Sequence, residues 1–235
     1  MRRWTLTPPC ANYPLNCESA EQIVRQIADV EIDDKISFVI KKTEEIMEDS
    51  EYQGVRLSLD AYLDKTRIPL KIDISTGDVI TPCEISFSYQ LMFENRTIPL
   101  LAYPPETVLA EKLETILSRG EANTRLRDFY DVYILQREDF VVTPDALCHA
   151  LLATCRKRGH EDLLHTYASI LDRVRQSDTM RTQWMKYQSD FDYAAGITWD
   201  TVLDTVETLC MKTLDDHAFG DELPQEESQF EMHLL

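Results

Sequence analysis

The sequence predicts an α+β protein in which a mixed β-sheet is followed by a helical C-terminal bundle. Two observations lead to this prediction. Apolar and polar residues alternate in the first half of the chain, as in strands with one buried face, whereas apolar residues recur at helical spacing in the second half. The pattern changes at Tyr103, so we expect residues 18–103 to form the sheet-containing part and residues 104–214 the helical domain.

The strongest strand pattern lies in the middle of the first half. Apolar residues alternate with polar ones from Val55 to Leu63 and again from Ile68 to Ile74, on either side of the short connection 64–67. This pattern predicts two adjacent antiparallel strands over about residues 54–63 and 67–75. Shorter strands of the same sheet are predicted over residues 36–41, 84–93 and 97–102.

The rest of the first half is predicted to form an irregular segment, one helix and a connection. Residues 1–17 contain three prolines and match neither a helix nor a strand pattern. Apolar residues recur at helical spacing from Ser19 to Val30, and Ser19 with Gln22 resembles a capping box. The acidic run 42–51 is interpreted as a solvated connection.

The second half is predicted to be helical throughout. Pro104-Pro105-Glu106 is typical of a helix start, because proline is tolerated in the first turn and an acid interacts favourably with the N-terminal dipole. Apolar side chains then share one face, and Gly120 ends the helix. Further helices are expected at about residues 125–137, 144–158, 161–176, 179–194 and 198–213.

Charge and composition restrict the class of protein. The 235 residues carry a net charge of −18, and residues 215–235, predicted to be a disordered tail, hold seven acids with no Lys or Arg. A protein with this much negative charge is a poor general nucleic-acid binder, because phosphate contacts need clustered basic residues. The six cysteines form no C-x-x-C pair, so reduced thiols are expected. No apolar run suits a transmembrane helix or a secretory signal, so we expect a cytoplasmic protein with no membrane partner.

Lys71 and Asp73 are the first candidate functional residues. Because side chains alternate along a strand, they lie on one face while Leu70, Ile72 and Ile74 lie on the other. A lysine and an aspartate side by side are unusual on a central strand. The alternative interpretation is a solvent-facing edge with a weak ion pair.

A second group of candidates lies on the predicted helices. Lys112 falls among apolar residues on the face that should meet the core. It is interpreted either as a cation directed into a pocket or as a lysine that extends to solvent at the margin of that face. Asp128 and Asp131 lie three residues apart and therefore on one helical face, with Arg125 and Arg127 beside them. The alternative for these acids is a helix start with nearby basic partners.

These candidates lie in three segments that follow one another in a recognisable order. The segments are PLKIDISTGD at 69–78, ETVLAEKLET at 106–115 and RDFYDVY at 127–133. Their order and spacing resemble motifs II, III and IV of the AbiEii/AbiGii toxin family, which are nucleotidyltransferases of bacterial abortive-infection (phage-defence) and type IV toxin–antitoxin systems. The resemblance extends from about Tyr13 to Leu214.

The resemblance implies a fold, a reaction and partners. The fold would be similar to that of DNA polymerase β-like nucleotidyltransferases. The reaction would be attack on the α-phosphate of a nucleoside triphosphate, GTP being the expected donor, with RNA such as tRNA or another molecule as acceptor. Two Mg²⁺ ions held by three carboxylates would serve as the cofactor. A cognate antitoxin encoded nearby would be the protein partner.

The resemblance also implies roles for individual residues. Asp73 matches the third metal-holding acid, and Lys71 beside it would stabilise phosphate charge. Lys112 would reach the triphosphate from its helix. Asp128 and Asp131, with Arg127, match the fourth motif, which would position Lys112 or the nucleotide. We therefore predict that Lys71, Asp73, Lys112 and Asp128 converge on one cleft.

Motif I of the family is missing from this sequence. The family has a Gly-Ser or Gly-Thr turn and then an R-x-T-x-D-x-D strand, whereas the residues ahead of Asn12 include two adjacent prolines and no carboxylate. A codon made of the last base of the Trp4 codon and the first two bases of the Thr5 codon must encode Asp. Over residues 2–11, that shifted reading frame permits the sequence A-A-V-D-I-D-A-T-L-R. Our hypothesis is that residues 1–11 are an out-of-frame translation of motif I in an N-terminally truncated relative.

The sequence therefore leaves three functional interpretations open. The first is an AbiEii-type nucleotidyltransferase that is inactive as written, because the acid pair and the Gly-Ser turn are absent. The second is a catalytically dead module that still binds nucleotide or antitoxin. The third is a helical protein-interaction domain.

Overall fold

A computed structural model describes residues 3–6, 16–32, 35–47, 53–75, 79–137 and 142–215. The chain forms two compact units, Met1–Asp78 and Val79–Leu235. The first unit contains the main sheet, and helices dominate the second. The predicted α+β class, a nucleotidyltransferase-like sheet region followed by a helical bundle, is therefore confirmed.

Among the described residues of the first unit, four strands form the sheet. They are β1 (Arg3–Leu6), β2 (Ile36–Met47), β3 (Gln53–Leu63) and β4 (Thr66–Ser75). Their order across the sheet is β1-β4-β3-β2, with β1 parallel to β4 and the other pairs antiparallel. The predicted antiparallel pairing of the two alternating segments is confirmed, with Leu57 opposite Ile72 and Leu59 opposite Leu70.

Strand β2 is longer than the sequence predicts. It continues through the acidic residues to Met47 and pairs with β3 beyond a bulge between Ile40 and Lys42, so the interpretation of residues 42–47 as a solvated connection is wrong. The physical reason is that β2 is an edge strand of this sheet, where charged side chains remain in water and also discourage pairing with other chains. Residues 48–51 of that run lie outside the described part of the chain.

The first helix begins two residues before the predicted start. Helix α1 (Cys17–Ala28) has Asn16 as its N-cap, and a reciprocal capping box joins Asn16 to Ser19 rather than Ser19 to Gln22. Ala20 and Val24 of α1 pack against the apolar face of the sheet, which Leu57 and Leu59 help to form. Within the segment 1–17, expected to be irregular, the structure has strand β1 and the start of α1.

The second unit begins with a hairpin, β5 (Ile85–Gln90) and β6 (Thr97–Ala102), which forms a separate two-stranded sheet. The sequence predicted both strands but placed them in the main sheet. That placement is wrong, because within the described residues the two strands pair only with each other. The hairpin also falls in the same unit as the helices rather than with residues 18–78.

In the part of the chain that the structure describes, six helices follow the hairpin, close to the predicted positions. They are α2 (Pro105–Arg119), α3 (Leu126–Leu135), α4 (Pro144–Lys157), α5 (Leu163–Gln176), α6 (Asp178–Asp190) and α7 (Trp199–Leu214). Their apolar faces share one core, in which Phe129 contacts Trp199 and Trp184 is buried. In the described part of the chain, no helix is long and apolar enough to cross a membrane. The residues of the predicted disordered tail that follow Asp215 lie outside the described part of the chain.

Candidate functional site

Asp73 lies on β4, between β1 and β3, and pairs with an arginine of the neighbouring strand. The antiparallel register places Asp73 directly opposite Arg56. Arg56 Nε donates to Asp73 Oδ1 at 2.7 Å, and Nη2 donates to Oδ2 at 2.9 Å. The Asp73 side chain is only 4 % exposed, so the alternative of a solvent-facing edge does not apply to it.

Lys71 lies on the same face of the sheet as Asp73, two residues before it on β4. It is opposite Ser58, which in turn is opposite Lys42 of β2, and the Lys71 side chain is exposed. The hydrogen bond from Lys42 holds the pKa of Glu44 below its usual value, and the positive charges of Arg56 and Lys71 add to this effect. Cationic groups thus dominate the electrostatic environment of Glu44.

Arg56 is the partner of Asp73 that sequence reasoning missed. It was placed only among the polar positions that alternate along β3. The available signal was the length of the turn: a two-residue connection sets the register that brings Arg56 opposite Asp73. Cross-strand neighbours of opposite charge stabilise a sheet, so the Arg56–Asp73 pair favours this register.

Lys112 on α2 is held between two aspartates of α3. Lys112 Nζ donates to Asp128 Oδ1 at 3.1 Å and to Asp131 Oδ2 at 2.6 Å. The three side chains are 18 %, 15 % and 22 % exposed, in that order. The structure therefore brings motif III and motif IV residues together, and the ammonium group is fixed between two acids rather than extended into solvent.

Arg127 and two tyrosines lie around this group. Arg127 Nε is 3.6 Å from Asp131 Oδ2, while the Arg127 side chain is 75 % exposed. Burial raises the pKa of Tyr187, and its hydrogen bond with Tyr193 raises it further. Burial also raises the pKa of Tyr130, and the nearby negative charge of Asp131 adds to the shift. Both phenols therefore remain neutral near the charged residues.

The two groups belong to different units. Lys71 and Asp73 are part of the first unit, and Lys112 and Asp128 are part of the second. Their convergence on one cleft stays a prediction.

A second buried carboxylate, Glu114, was not singled out from the sequence. Its side chain is 2 % exposed and accepts hydrogen bonds from Arg158 Nη1 and from His160 Nδ1, the latter at 2.6 Å. These contacts connect α2 to the end of α4 and the turn after it. Glu114 therefore joins two helices of the core through charge-assisted hydrogen bonds.

The described residues do not fit the two-ion site that the resemblance implies. No group of three or more His, Cys, Asp or Glu side chains within them is arranged to hold a metal ion. Of the three expected acids, the chain offers Asp73, and both of its carboxylate oxygens accept hydrogen bonds from Arg56. Two ions held about 3.5–4 Å apart would require further carboxylates.

Comparison with known proteins gives one match. A family model described as the nucleotidyl transferase AbiEii toxin of type IV toxin–antitoxin systems matches residues 16–205. That range includes β4, Lys112 and the two aspartates of α3, whereas residues 1–15 lie outside it. No protein of curated function and no solved structure gives a significant match. Since the matched residues make up most of the chain, the chain belongs to the AbiEii nucleotidyl transferase toxin family of type IV toxin–antitoxin systems.

Proposed function

We propose that this fold serves nucleotidyl transfer from a nucleoside triphosphate, with GTP as the expected donor, to RNA or another acceptor. An acceptor oxygen would form a bond to the α-phosphorus while the bond to the leaving pyrophosphate breaks. We further propose that residues 1–235 as written do not complete this reaction. The second part of the proposal concerns the first strand of the sheet.

The observation that carries the proposal is the register of β1. This strand runs parallel to β4 with Thr5 opposite Asp73, which is where a family member would present its acid pair beside the third acid. The strand reads Arg-Trp-Thr-Leu and contains no carboxylate. A strand is therefore present beside Asp73, and the acids that the chemistry needs are absent from it.

The remaining residues have roles that suit phosphate chemistry. Lys112, fixed by Asp128 and Asp131, would present its ammonium group to the triphosphate without first losing conformational freedom. The exposed cations Lys71 and Arg127 would contact phosphate oxygens, and Asp131 would orient both Lys112 and Arg127.

Mg²⁺ is the cofactor we propose for a complete site, with Asp73 as one ligand and two further carboxylates as the others. Mg²⁺ would supply neutralisation of phosphate charge. The described residues alone do not fit it, because they contain no cluster of three or more ligand side chains.

Family membership implies an antitoxin partner. We propose that this partner is the product of a neighbouring gene, and that the protein acts in the cytoplasm as part of a phage-defence system. The net charge of −18 favours a protein partner or a metal-bound nucleotide over bare RNA.

The experiment compares the chain with a version in which residues 1–11 are replaced by a Gly-Ser segment and a D-I-D strand. Each is incubated with the four labelled nucleoside triphosphates, Mg²⁺ and total tRNA, and growth is followed after expression. We expect no transfer and no growth inhibition from the chain, and both from the replaced version. The rate of transfer by the chain as written should be lower than that of the replaced version by more than about 10²–10³-fold, which is the usual effect of removing one stabilising group.

Asp73→Ala in the replaced version is the matched control and should abolish transfer. Robust transfer by the chain as written, lost in its own Asp73→Ala variant, would contradict the proposed inactivity. Nucleotide binding without transfer by both versions would favour a binding module instead. Capture of the antitoxin with neither nucleotide binding nor transfer would favour an interaction domain.

A further inference from the structure

We propose that the guanidinium group of Arg56 is the resident counter-ion of Asp73 in this chain and takes the place that a divalent cation would occupy. Asp73 would then stabilise the sheet through Arg56 and would not bind a metal ion. This inference goes beyond the proposed transfer reaction, because it concerns what this carboxylate does in the chain as it is.

The geometry of the pair is that of a two-point contact. Two nitrogen atoms of Arg56 meet the two oxygen atoms of Asp73 at 2.7 and 2.9 Å. A planar guanidinium matches a carboxylate in this way, whereas a lysine could offer only a point charge. The β3–β4 register places the two residues opposite each other, so the contact is built into the strand pairing.

Burial makes this contact important for the first unit. The Asp73 side chain is 4 % exposed and that of Arg56 is 30 % exposed. A buried carboxylate without a partner is strongly unfavourable, because it loses hydration and gains nothing in return. The sheet therefore needs a cation at this position, and Arg56 supplies it.

A metal ion would have to compete with Arg56 for the same oxygen atoms. Mg²⁺ keeps much of its water shell and needs one or two protein carboxylates together with substrate phosphates. Within the described residues, no cluster of ligands adds to Asp73. A metal bound there would also place two positive charges beside the guanidinium group. The pair with Arg56 is therefore favoured.

The test uses the full chain and five variants, of which Asp73→Asn removes the charge of Asp73 alone. Arg56→Met removes the cation but keeps the length of the side chain, and Arg56→Met/Asp73→Leu removes both charges. Arg56→Lys keeps a charge without the two-point contact. Arg67→Met is the matched control, since Arg67 is an exposed arginine of the same sheet and its neighbour Asp60 keeps Lys41 at 3.7 Å when Arg67 is removed. Thermal unfolding is followed in EDTA and in Mn²⁺, and bound Mn²⁺ is measured by electron paramagnetic resonance.

We expect the wild-type midpoint to be the same in EDTA and in Mn²⁺. Arg56→Met should lower the midpoint in EDTA by more than about 10 °C, and Mn²⁺ should partly restore it. The double variant should unfold at a higher temperature than Arg56→Met and should gain nothing from Mn²⁺. Arg56→Lys should lie between wild type and Arg56→Met, and Arg67→Met should match wild type.

Two results would overturn the proposal. One is a wild-type chain whose midpoint rises in Mn²⁺ and loses that rise in Asp73→Asn, since Asp73 would then bind metal beside Arg56. The other is a double variant that is as unstable as Arg56→Met, or unfolded like it, since the uncompensated carboxylate would not be the cause. The transfer experiment does not depend on either result, so failure of one proposal can be told from failure of the other.

Discussion

Lys112 lies on helix α2 with its ammonium group between two aspartates of helix α3. Replacing it with methionine would remove the cation held between Asp128 and Asp131, and the exposed Arg127 would remain beside Asp131. We expect Lys112→Met to lower the free energy of unfolding by about 1–3 kcal/mol, less than for a fully buried pair because these side chains keep some contact with water. Urea unfolding measures this change.

The control for that prediction is Arg127→Met. Arg127 is mostly exposed and lies farther from Asp131, so its loss should change stability by less than about 0.5 kcal/mol. A cycle with Lys112→Met and Asp131→Asn should give a coupling energy of about 0.5–3 kcal/mol. Strictly additive effects would show that the lysine and the aspartate do not act as a pair.

The buried thiols of the helical unit give a pH-dependent prediction. Burial raises the pKa of Cys155 and of Cys210 to about 12, from an ordinary value of 9.0. Above about pH 9 the unfolded chain releases these protons while the folded chain keeps them, so the unfolded state binds fewer protons and stability falls as pH rises. Below about pH 9 the two thiols should have no effect.

Urea unfolding at several pH values between about 8 and 9.5 tests this dependence, because tyrosines, with an ordinary pKa of about 10, stay mostly protonated over that range. Each thiol can contribute a slope of at most about 1.4 kcal/mol per pH unit. Cys155→Ala should flatten the slope even though it lowers overall stability, whereas Cys83→Ser, at an exposed position, should leave it unchanged. An unchanged slope in Cys155→Ala would contradict the burial argument.

At the scale of elements, the turn between β3 and β4 sets the register on which Asp73 depends. Asp64 has a φ of +51°, in the left-handed region, and Lys65 has no positive φ. A two-residue hairpin turn with this pattern favours glycine at its first position. We expect Asp64→Gly to raise the free energy of unfolding by about 0.5–1 kcal/mol, because glycine adopts that conformation without strain.

The matched control is Lys65→Gly, at the second position of the same turn. Glycine there relieves no strain and adds conformational freedom to the unfolded chain, so stability should fall. Denaturant midpoints of the two variants should therefore move in opposite directions. Movement in the same direction would show that turn strain does not decide the effect.

Much of the element arrangement follows from the sequence, and the exceptions have physical causes. Strict alternation predicts β3 and β4, because one face of each meets the core. Alternation fails along β2, since an edge strand tolerates charge on both faces. Arg56 looks like any polar residue of an exposed face until the register is known. Part of the Lys112 group can be predicted from the sequence, because helical spacing places Asp128 and Asp131 on one face.

The whole molecule divides into a sheet unit and a helical unit, and this division has a consequence for folding. The second unit has its own core, whose buried residues come from α2 to α7 and include Trp184 and Trp199. A domain with its own core can fold alone. We expect a fragment of residues 79–215 to be helical and to unfold cooperatively.

Tryptophan fluorescence makes this prediction sharp, because the fragment contains only Trp184 and Trp199 and excludes Trp4. Both side chains are at most 3 % exposed, and Trp184 Nε1 donates to the carbonyl of Ile197 at 2.8 Å. Emission should therefore lie well to the blue of a solvated tryptophan and shift red in one cooperative step with urea. Phe129→Ala, which removes the ring against Trp199, should cost about 3–5 kcal/mol in the fragment and in the full chain alike. Red-shifted emission from the fragment before any urea is added, with a native spectrum in the full chain, would mean that the helical core depends on residues 1–78.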